Sequence, residues 1–543
     1  MNTSGKPISS VAVPQGRHTP RGAARRIVIP AAAILAYAAV RMLWLPVDSF
    51  SYGFTHDSAY LATAARNLLD GKGLVNDASW LVFLHPASLP MPFHNANPLY
   101  PVLTAALAKA AGTDVFRAGF LISALSSVAL VAALAAIVGR WLPAAYAVAA
   151  AFLIALFPAL YATSAAYLPD ALCLALTTGS AAMLIRAPGA PMSIGAGVLL
   201  GLAWLARSTA ALMAPAAVLY LLLACGWRRG IRAALLFGAA AAAAASPWLV
   251  HTARVWGSPL RSDNSYYLLQ LYHARSSGGP VERYWHATAP PPSMAAIVRK
   301  EPGEILGFWA AGAPKAARAL AGGWLQGSVP AAMILAALFI LAAASTGGVA
   351  RTPAFAAGAL YAAAALAVFA FRAESAEPRY FSFLTVLVLL WVAAGTVRAL
   401  RHGPGRTWKF LAIAATAGYT LWAAPEAVAR GRFLASRNPQ AAGYRAAAAE
   451  VNKTLARGRP VIVGDKPYLY SLETGAPSLS IPDASDDYLE RYMLRNGAEY
   501  VFLTRAELQF WRPAWLRAAP QEFRLAMQDE SNYVFQLKQA DRR

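Results

Sequence analysis

A chain of 543 residues that is 58% hydrophobic and only 14% charged is not an ordinary soluble globule, because its apolar residues fall in blocks long enough to cross a bilayer. The formal net charge of +22 would suggest nucleic acid in a soluble protein, but here Lys and Arg flank the apolar blocks and act as topology signals. Cys173 and Cys225, the two cysteines, lie in separate apolar stretches without disulfide or metal spacing and read as packing residues.

In chain order, Arg17, Arg21, Arg25 and Arg26 precede an apolar run over 27–46. It is too long for a signal peptide and reads as an uncleaved first span that starts in the cytoplasm. Further apolar segments lie near 115–138, 143–165, 171–186, 192–206, 208–225, 233–252, 325–345, 353–371, 381–400 and 409–427, making about eleven spans in all. Those on either side of Arg207 are short for straight spans, so they are expected to be tilted or half-buried. The Ala-rich stretch 235–246 predicts close helix packing.

Threading the spans alternately puts Arg140, Arg186, the basic run 227–232, Arg351 and the stretch 401–409 in the cytoplasm, as the positive-inside rule requires. All 26 Asp and Glu residues then fall outside. Three regions are large enough for structure of their own there: 47–114, 253–324 and the tail from about 428. In the first, 59–69 and 98–111 read as amphipathic helices on the membrane surface. In the tail, 460–464 and 500–504 read as strands and 486–496 as a helix capped by Gly497, a small α/β domain. Pro290 to Pro292 mark a loop. The predicted fold is therefore a polytopic α-helical membrane protein. It comprises a transmembrane domain over 1–427, with its outer loops 47–114 and 253–324, and a small extracytoplasmic α/β domain over 428–543.

The stretch His56-Asp57-Ser58-Ala59-Tyr60-Leu61 follows the first span, with Ala65-Arg66-Asn67-Leu68-Leu69 and Gly71-Lys72-Gly73 behind it. An acidic residue here, then Tyr, an Ala-Arg-Asn-Leu helix and a Gly-x-Gly turn, resembles the GT-C superfamily of membrane glycosyltransferases. Protein O-mannosyltransferases and the lipid A aminoarabinose transferase are relatives. Four more segments fit that resemblance in order: 94–101, 201–207, Pro247-Trp248 with Gly257-Ser258-Pro259, and Glu377-Pro378-Arg379-Tyr380. One departs: His251-Thr252, with Arg254 slightly later, stands where relatives place Arg-Asn.

The resemblance implies transfer of a sugar from a polyprenyl-phosphate donor to an envelope glycan, lipid or protein on the outer face of the cytoplasmic membrane. Asp57 and Asp170 are the implied catalytic carboxylates. Tyr60, Arg66, His94, Arg207, Arg379 and Tyr380 are the implied substrate-binding residues.

Elementary chemistry supports several of these roles. Glycosyl transfer to a hydroxyl or amine needs a base that removes the acceptor proton, and a partly desolvated carboxylate at the membrane boundary is a better base than a freely solvated one. Asp57 also suits the N-cap of the helix 59–69. Asp170, after Pro169, fits equally a support for the acceptor or Arg207 and an ordinary cap. A departing polyprenyl phosphate is an anion that needs cations, and the planar guanidiniums of Arg207 and Arg379 suit phosphate; both residues also suit snorkelling at helix ends.

His56, His85, His94 and Asp77 make a divalent cation possible, although their spacing matches no zinc motif and each suits plain hydrogen bonding. Tyr266, Tyr267, Tyr272, Tyr284 and Trp285 suit an interfacial belt or sugar stacking. Two competing functions are a transporter and an oligosaccharide ligase. The transporter predicts ionisable residues at the bilayer midplane, where these spans are nearly uncharged.

Overall fold

The computed structural model describes residues 56–80, 89–94, 96–140, 142–260, 299–325, 352–370, 378–402, 405–435, 460–528 and 532–538, with a few isolated positions such as 286–288. The expected first span, His85, most of 325–345 and the aromatic group 266–285 lie outside the described residues. The first described helix, α1 (His56–Leu69), is followed by short strands β1 (Val75–Asn76), β2 (Ala78–Ser79) and β3 (Met91–Pro92). Next come α2 (Leu99–Ala111), α3 (Val115–Val138), α4 (Ala144–Ala155), α5 (Pro158–Ala165), α6 (Asp170–Arg186), α7 (Ala190–Ala206), α8 (Met213–Cys225) and α9 (Trp227–Trp256). The membrane part continues with α10 (Pro302–Leu325), α11 (Pro353–Ala370), α12 (Ser382–His402) and α13 (Arg406–Ala435).

Among the described residues, five helices are long and apolar enough to cross a membrane, or six if the bent pair α4 and α5 is one span. That pair corrects the expectation of a continuous span over 143–165. The chain bends by 70° there, because Pro158 at the start of α5 has no N–H to continue the ladder and its ring crowds the preceding turn. The helix α9 runs for 30 residues, from the basic run through Pro247 to Trp256. Gly197 and Gly201 of α7 face the backbone of α9 at Phe237 and Ala241, where an added Cβ would collide. Small residues four apart are what bring two membrane helices this close.

Two expectations change. The region 253–324 holds a 24-residue helix, α10, whose Glu304, Lys315 and Arg318 hide it from a hydropathy reading. It packs on α11: Trp309 Nε1 donates to Ala367 O at 2.8 Å, and Gly312 lies against the backbone of Ala370. Nor does α1 lie open on a surface, since residues 58–65 are buried all round. Its small residues let α2 and α3 pack on one side, while Tyr468 meets Tyr60 edge-on at 4.8 Å on the other.

After α13 the described chain resumes as β4 (Val461–Gly464), α14 (Pro467–Thr474), β5 (Ser478–Ser480), α15 (Asp486–Asn496), β6 (Ala498–Thr504), α16 (Arg505–Trp511), β7 (Phe523–Gln528) and β8 (Asn532–Leu537). The six-stranded sheet has the order β2-β5-β4-β6-β8-β7, parallel through its first four strands and antiparallel in the last two. Its β2 edge comes from the region before α2, so the tail and the first outer region share one sheet. The strands and helix expected at 460–464, 486–496 and 500–504 are present, with Gly497 in the left-handed conformation at φ 64°. A capping box between Thr504 and Glu507 starts α16.

Where the chain order switches sides of β4, the carboxyl edge of the sheet receives His286. Its Nδ1 lies 2.7 Å from Ile481 O and 3.0 Å from Ser480 Oγ, and its ring packs on Trp511 at 4.2 Å. The short contact to a carbonyl places the proton on Nδ1. Burial pushes the imidazole pKa down to about 4, against the opposing pull of the Ile481 carbonyl and the carboxylates of Asp483 and Glu507.

Candidate active site

Asp57 stands in the first turn of α1. Arg379 and Tyr380 lie in the 3-10 turn Pro378–Phe381 that opens α12. Asp170 begins α6, and Arg207 is the extended residue, φ −157° and ψ 128°, between α7 and the 3-10 turn Ser208–Leu212 that leads into α8. Four separate parts of the sequence therefore deliver their charges to one end of the bundle.

They meet as two ion pairs around one ring. Arg379 Nη2 donates to Asp57 Oδ2 at 3.0 Å, and Arg207 Nη1 to Asp170 Oδ1 at 2.7 Å. The guanidinium carbons lie 4.8 Å (Arg207) and 5.3 Å (Arg379) from the centroid of Tyr380, which stacks in turn on Phe369 of α11. Cation–π attraction to one aromatic ring, together with the two carboxylates, offsets the mutual repulsion of the two guanidiniums. The side chain of Asp57 keeps 40% of its exposure and that of Asp170 only 3%. Asp57 is thus the accessible carboxylate of the two, while Asp170 pairs with Arg207 inside the bundle. Asp170 Oδ2 is buried with no hydrogen-bond partner among the described residues.

Tyr60 lies one turn along α1 from Asp57, and His94 packs against it. The backbone N–H of His94 donates to Tyr60 Oη at 2.9 Å, His94 Nδ1 lies 2.8 Å from Pro92 O, and the His94 ring meets Trp256 at 5.3 Å. Arg66 lies apart, at the far end of α1. Its Nη1 donates to Leu472 O at 3.0 Å, tying α1 to the end of α14, and its guanidinium sits over Phe116.

Sequence reasoning missed three contributors. Asn97, within the segment 94–101, donates from Nδ2 to Trp204 O and so fixes the loop before α2 against the end of α7. Phe369 supports Tyr380, and Trp256 closes on His94. Trp256 had a signal, since it directly precedes the matched Gly257-Ser258-Pro259; Phe369 sits unmarked in an apolar run. Of the possible metal ligands, the side chains of His56 and His85 lie outside the described residues, and among the described residues no three His, Cys, Asp or Glu side chains converge.

The family described as dolichyl-phosphate-mannose-protein mannosyltransferase matches residues 92–251. Among solved structures, ArnT from Cupriavidus metallidurans bound to undecaprenyl phosphate is similar at a TM-score of 0.56 and 14% identity, covering 95% of this chain and 98% of that one. The archaeal oligosaccharyltransferase AglB from Archaeoglobus fulgidus, in complex with an inhibitory peptide and a dolichol-phosphate, is similar at a TM-score of 0.59 and 12% identity, covering 90% of this chain and 70% of that one. Among curated proteins none matches. In fold the chain is similar to these membrane glycosyltransferases. At these identities the structural likeness speaks for the GT-C fold, a helical membrane architecture. The matched stretch 92–251 includes His94, Asp170 and Arg207. Asp57, Arg379 and Tyr380 lie outside it, so the geometry, rather than the family match, connects them to the site.

Proposed function

We propose that the protein transfers a sugar from a polyprenyl-phosphate donor to an envelope acceptor on the outer face of the cytoplasmic membrane, with Asp57 as the base. The observation that carries this reading is the meeting of Asp57, Arg379, Tyr380, Arg207 and Asp170 at one end of an apolar bundle. A relative of the same fold, ArnT, binds undecaprenyl phosphate, and a lipid phosphate is the ligand that two neighbouring guanidiniums at a membrane boundary suit.

The mechanism is a single inverting displacement. The donor phosphate competes with Asp57 for Arg379 and takes it over, which releases the Asp57 carboxylate toward the acceptor. Asp57 removes the acceptor proton as oxygen or nitrogen attacks the anomeric carbon, and Arg379 with Arg207 stabilises the departing phosphate dianion. Asp170 holds Arg207 in place, Tyr60 and His94 shape the donor side, and no step requires a divalent cation. The N-terminus is cytoplasmic. The α/β layer that starts at β4 and takes in β2 faces outward, where it covers α1 and borders the acceptor approach.

A second reading, an oligosaccharide ligase, is favoured by the likeness to AglB. It differs in the group transferred, a whole glycan instead of a single sugar. The Asp57→Asn variant tests the common core of both. Transfer falls by about 10²- to 10⁴-fold, while folding and donor binding are kept; full activity in that variant removes Asp57 as the base.

A further inference from the structure

The proposed chemistry uses one end of the bundle and leaves the other unexplained. Asp170 opens α6 and Arg186 closes it sixteen residues later, and Arg398 lies sixteen residues beyond Ser382, where α12 leaves the Arg379–Tyr380 turn. At 1.5 Å per residue, both arginines stand about 24 Å from the charged site, close to the thickness of a hydrocarbon core. This far end contains a cavity of about 920 Å³ between α3, α6, α8, α11 and α12.

Its walls are apolar, with Phe355, Leu387, Val388 and Trp391 among them, and its charged lining residues are Arg140 and Arg398. Both arginines are exposed, so they stand where the cavity meets the surface. Neither side chain makes a hydrogen bond or ion pair among the described residues. Gly358 also lines the cavity, and a Cβ added there would meet nothing within 4 Å.

We propose that this cavity binds an anionic glycerophospholipid of the leaflet opposite the catalytic face, with an acyl chain between the helices and the phosphate held by Arg140 and Arg398. An acyl chain gains little by exchanging lipid neighbours for Leu and Val, since both are equally apolar. Selectivity must therefore come from the headgroup. Two guanidiniums at the rim of an interhelical pocket favour a phosphate that carries no compensating ammonium. The polyprenyl donor does not fit this position, because its phosphate belongs with Arg207 and Arg379 at the opposite end. The assignment rests on the proposed membrane orientation of the bundle, but lipid occupancy is read without turnover, so its failure is distinct from failure of the transferase reading.

The test uses the full chain in phosphatidylcholine nanodiscs and the fluorescence lost on Trp391→Phe as the Trp391 signal. Phosphatidylglycerol with brominated acyl chains should quench that signal at a mole fraction at least about fivefold lower than brominated phosphatidylcholine. Arg140→Gln with Arg398→Gln should abolish the preference, and Gly358→Phe, which fills the cavity, should remove the quenching by both lipids. Equal quenching by the two lipids would overturn the proposal. So would a preference that survives the double substitution, or displacement of the brominated lipid by a polyprenyl phosphate.

Discussion

Among the described residues, opposite charges gather around Tyr380 at the end of the bundle and around His286 at the edge of the α/β sheet. The two clusters look alike in composition and differ in what satisfies them. In the sheet cluster the ion pairs Lys466–Glu507 and Arg512–Asp486 are tied further into the fold by bonds to backbone and indole groups. Glu507 closes a capping box, Arg512 donates to the carbonyls of Trp511 and Pro482, and the indoles of Trp511 and Trp515 donate to Asp465 and Asp486. Around Tyr380 the guanidiniums are held by carboxylates and by a ring face. Charges bound to backbone groups build a fold, whereas charges bound mainly to each other can exchange a partner for a ligand.

The largest expected effect breaks the more buried pair. Arg207→Ala leaves Asp170 as a buried unpaired carboxylate and should cost about 3–5 kcal/mol in unfolding experiments in detergent. Adding Asp170→Asn should recover a large part of that loss. Next comes acid. His286 has a folded pKa of about 4, below its unfolded value, so the unfolded state binds the extra proton first. Stability is therefore complete above about pH 6.5 and falls by up to about 3 kcal/mol as the pH drops toward 4. His286→Phe should flatten that part of the profile. Thr504→Ala removes the cap of α16 at a cost of about 1 kcal/mol, without changing donor affinity. Smallest in stability is Arg379→Gln, at about 1 kcal/mol or less because its partner Asp57 is 40% exposed. It should nonetheless weaken donor binding by about tenfold or more. If Arg379→Gln left donor affinity unchanged while Thr504→Ala lowered it, the contrast between the clusters would be reversed.

The charged site was legible because its residues sit at helix starts beside unusual neighbours: Asp57 before Ala-Arg-Asn-Leu, Asp170 after Pro169, Arg207 between two short apolar runs, Arg379 before Tyr380. What the sequence could not show is pairing. Nothing local tells Arg379 to choose Asp57, 322 residues away, or Arg66 to bond Leu472 rather than a substrate. The helices α3, α8, α11 and α12 followed from apolar length alone. The kink at Pro158 and the helix α10 escaped because a hydropathy window averages over a proline and is lowered by three charges. The strand β2 escaped for another reason: two residues carry no period, and only β5 beside them makes Ala78 and Ser79 a strand.

The central claim is covalent sugar transfer from a polyprenyl phosphate. It is tested most directly by reconstituting the purified protein in proteoliposomes with a panel of radiolabelled polyprenyl-phosphate sugars and envelope acceptors, then following the label and the lipid product together. The account predicts that one donor releases polyprenyl phosphate in step with label appearing covalently on an acceptor. Movement of a solute across the bilayer without any covalent transfer would contradict it.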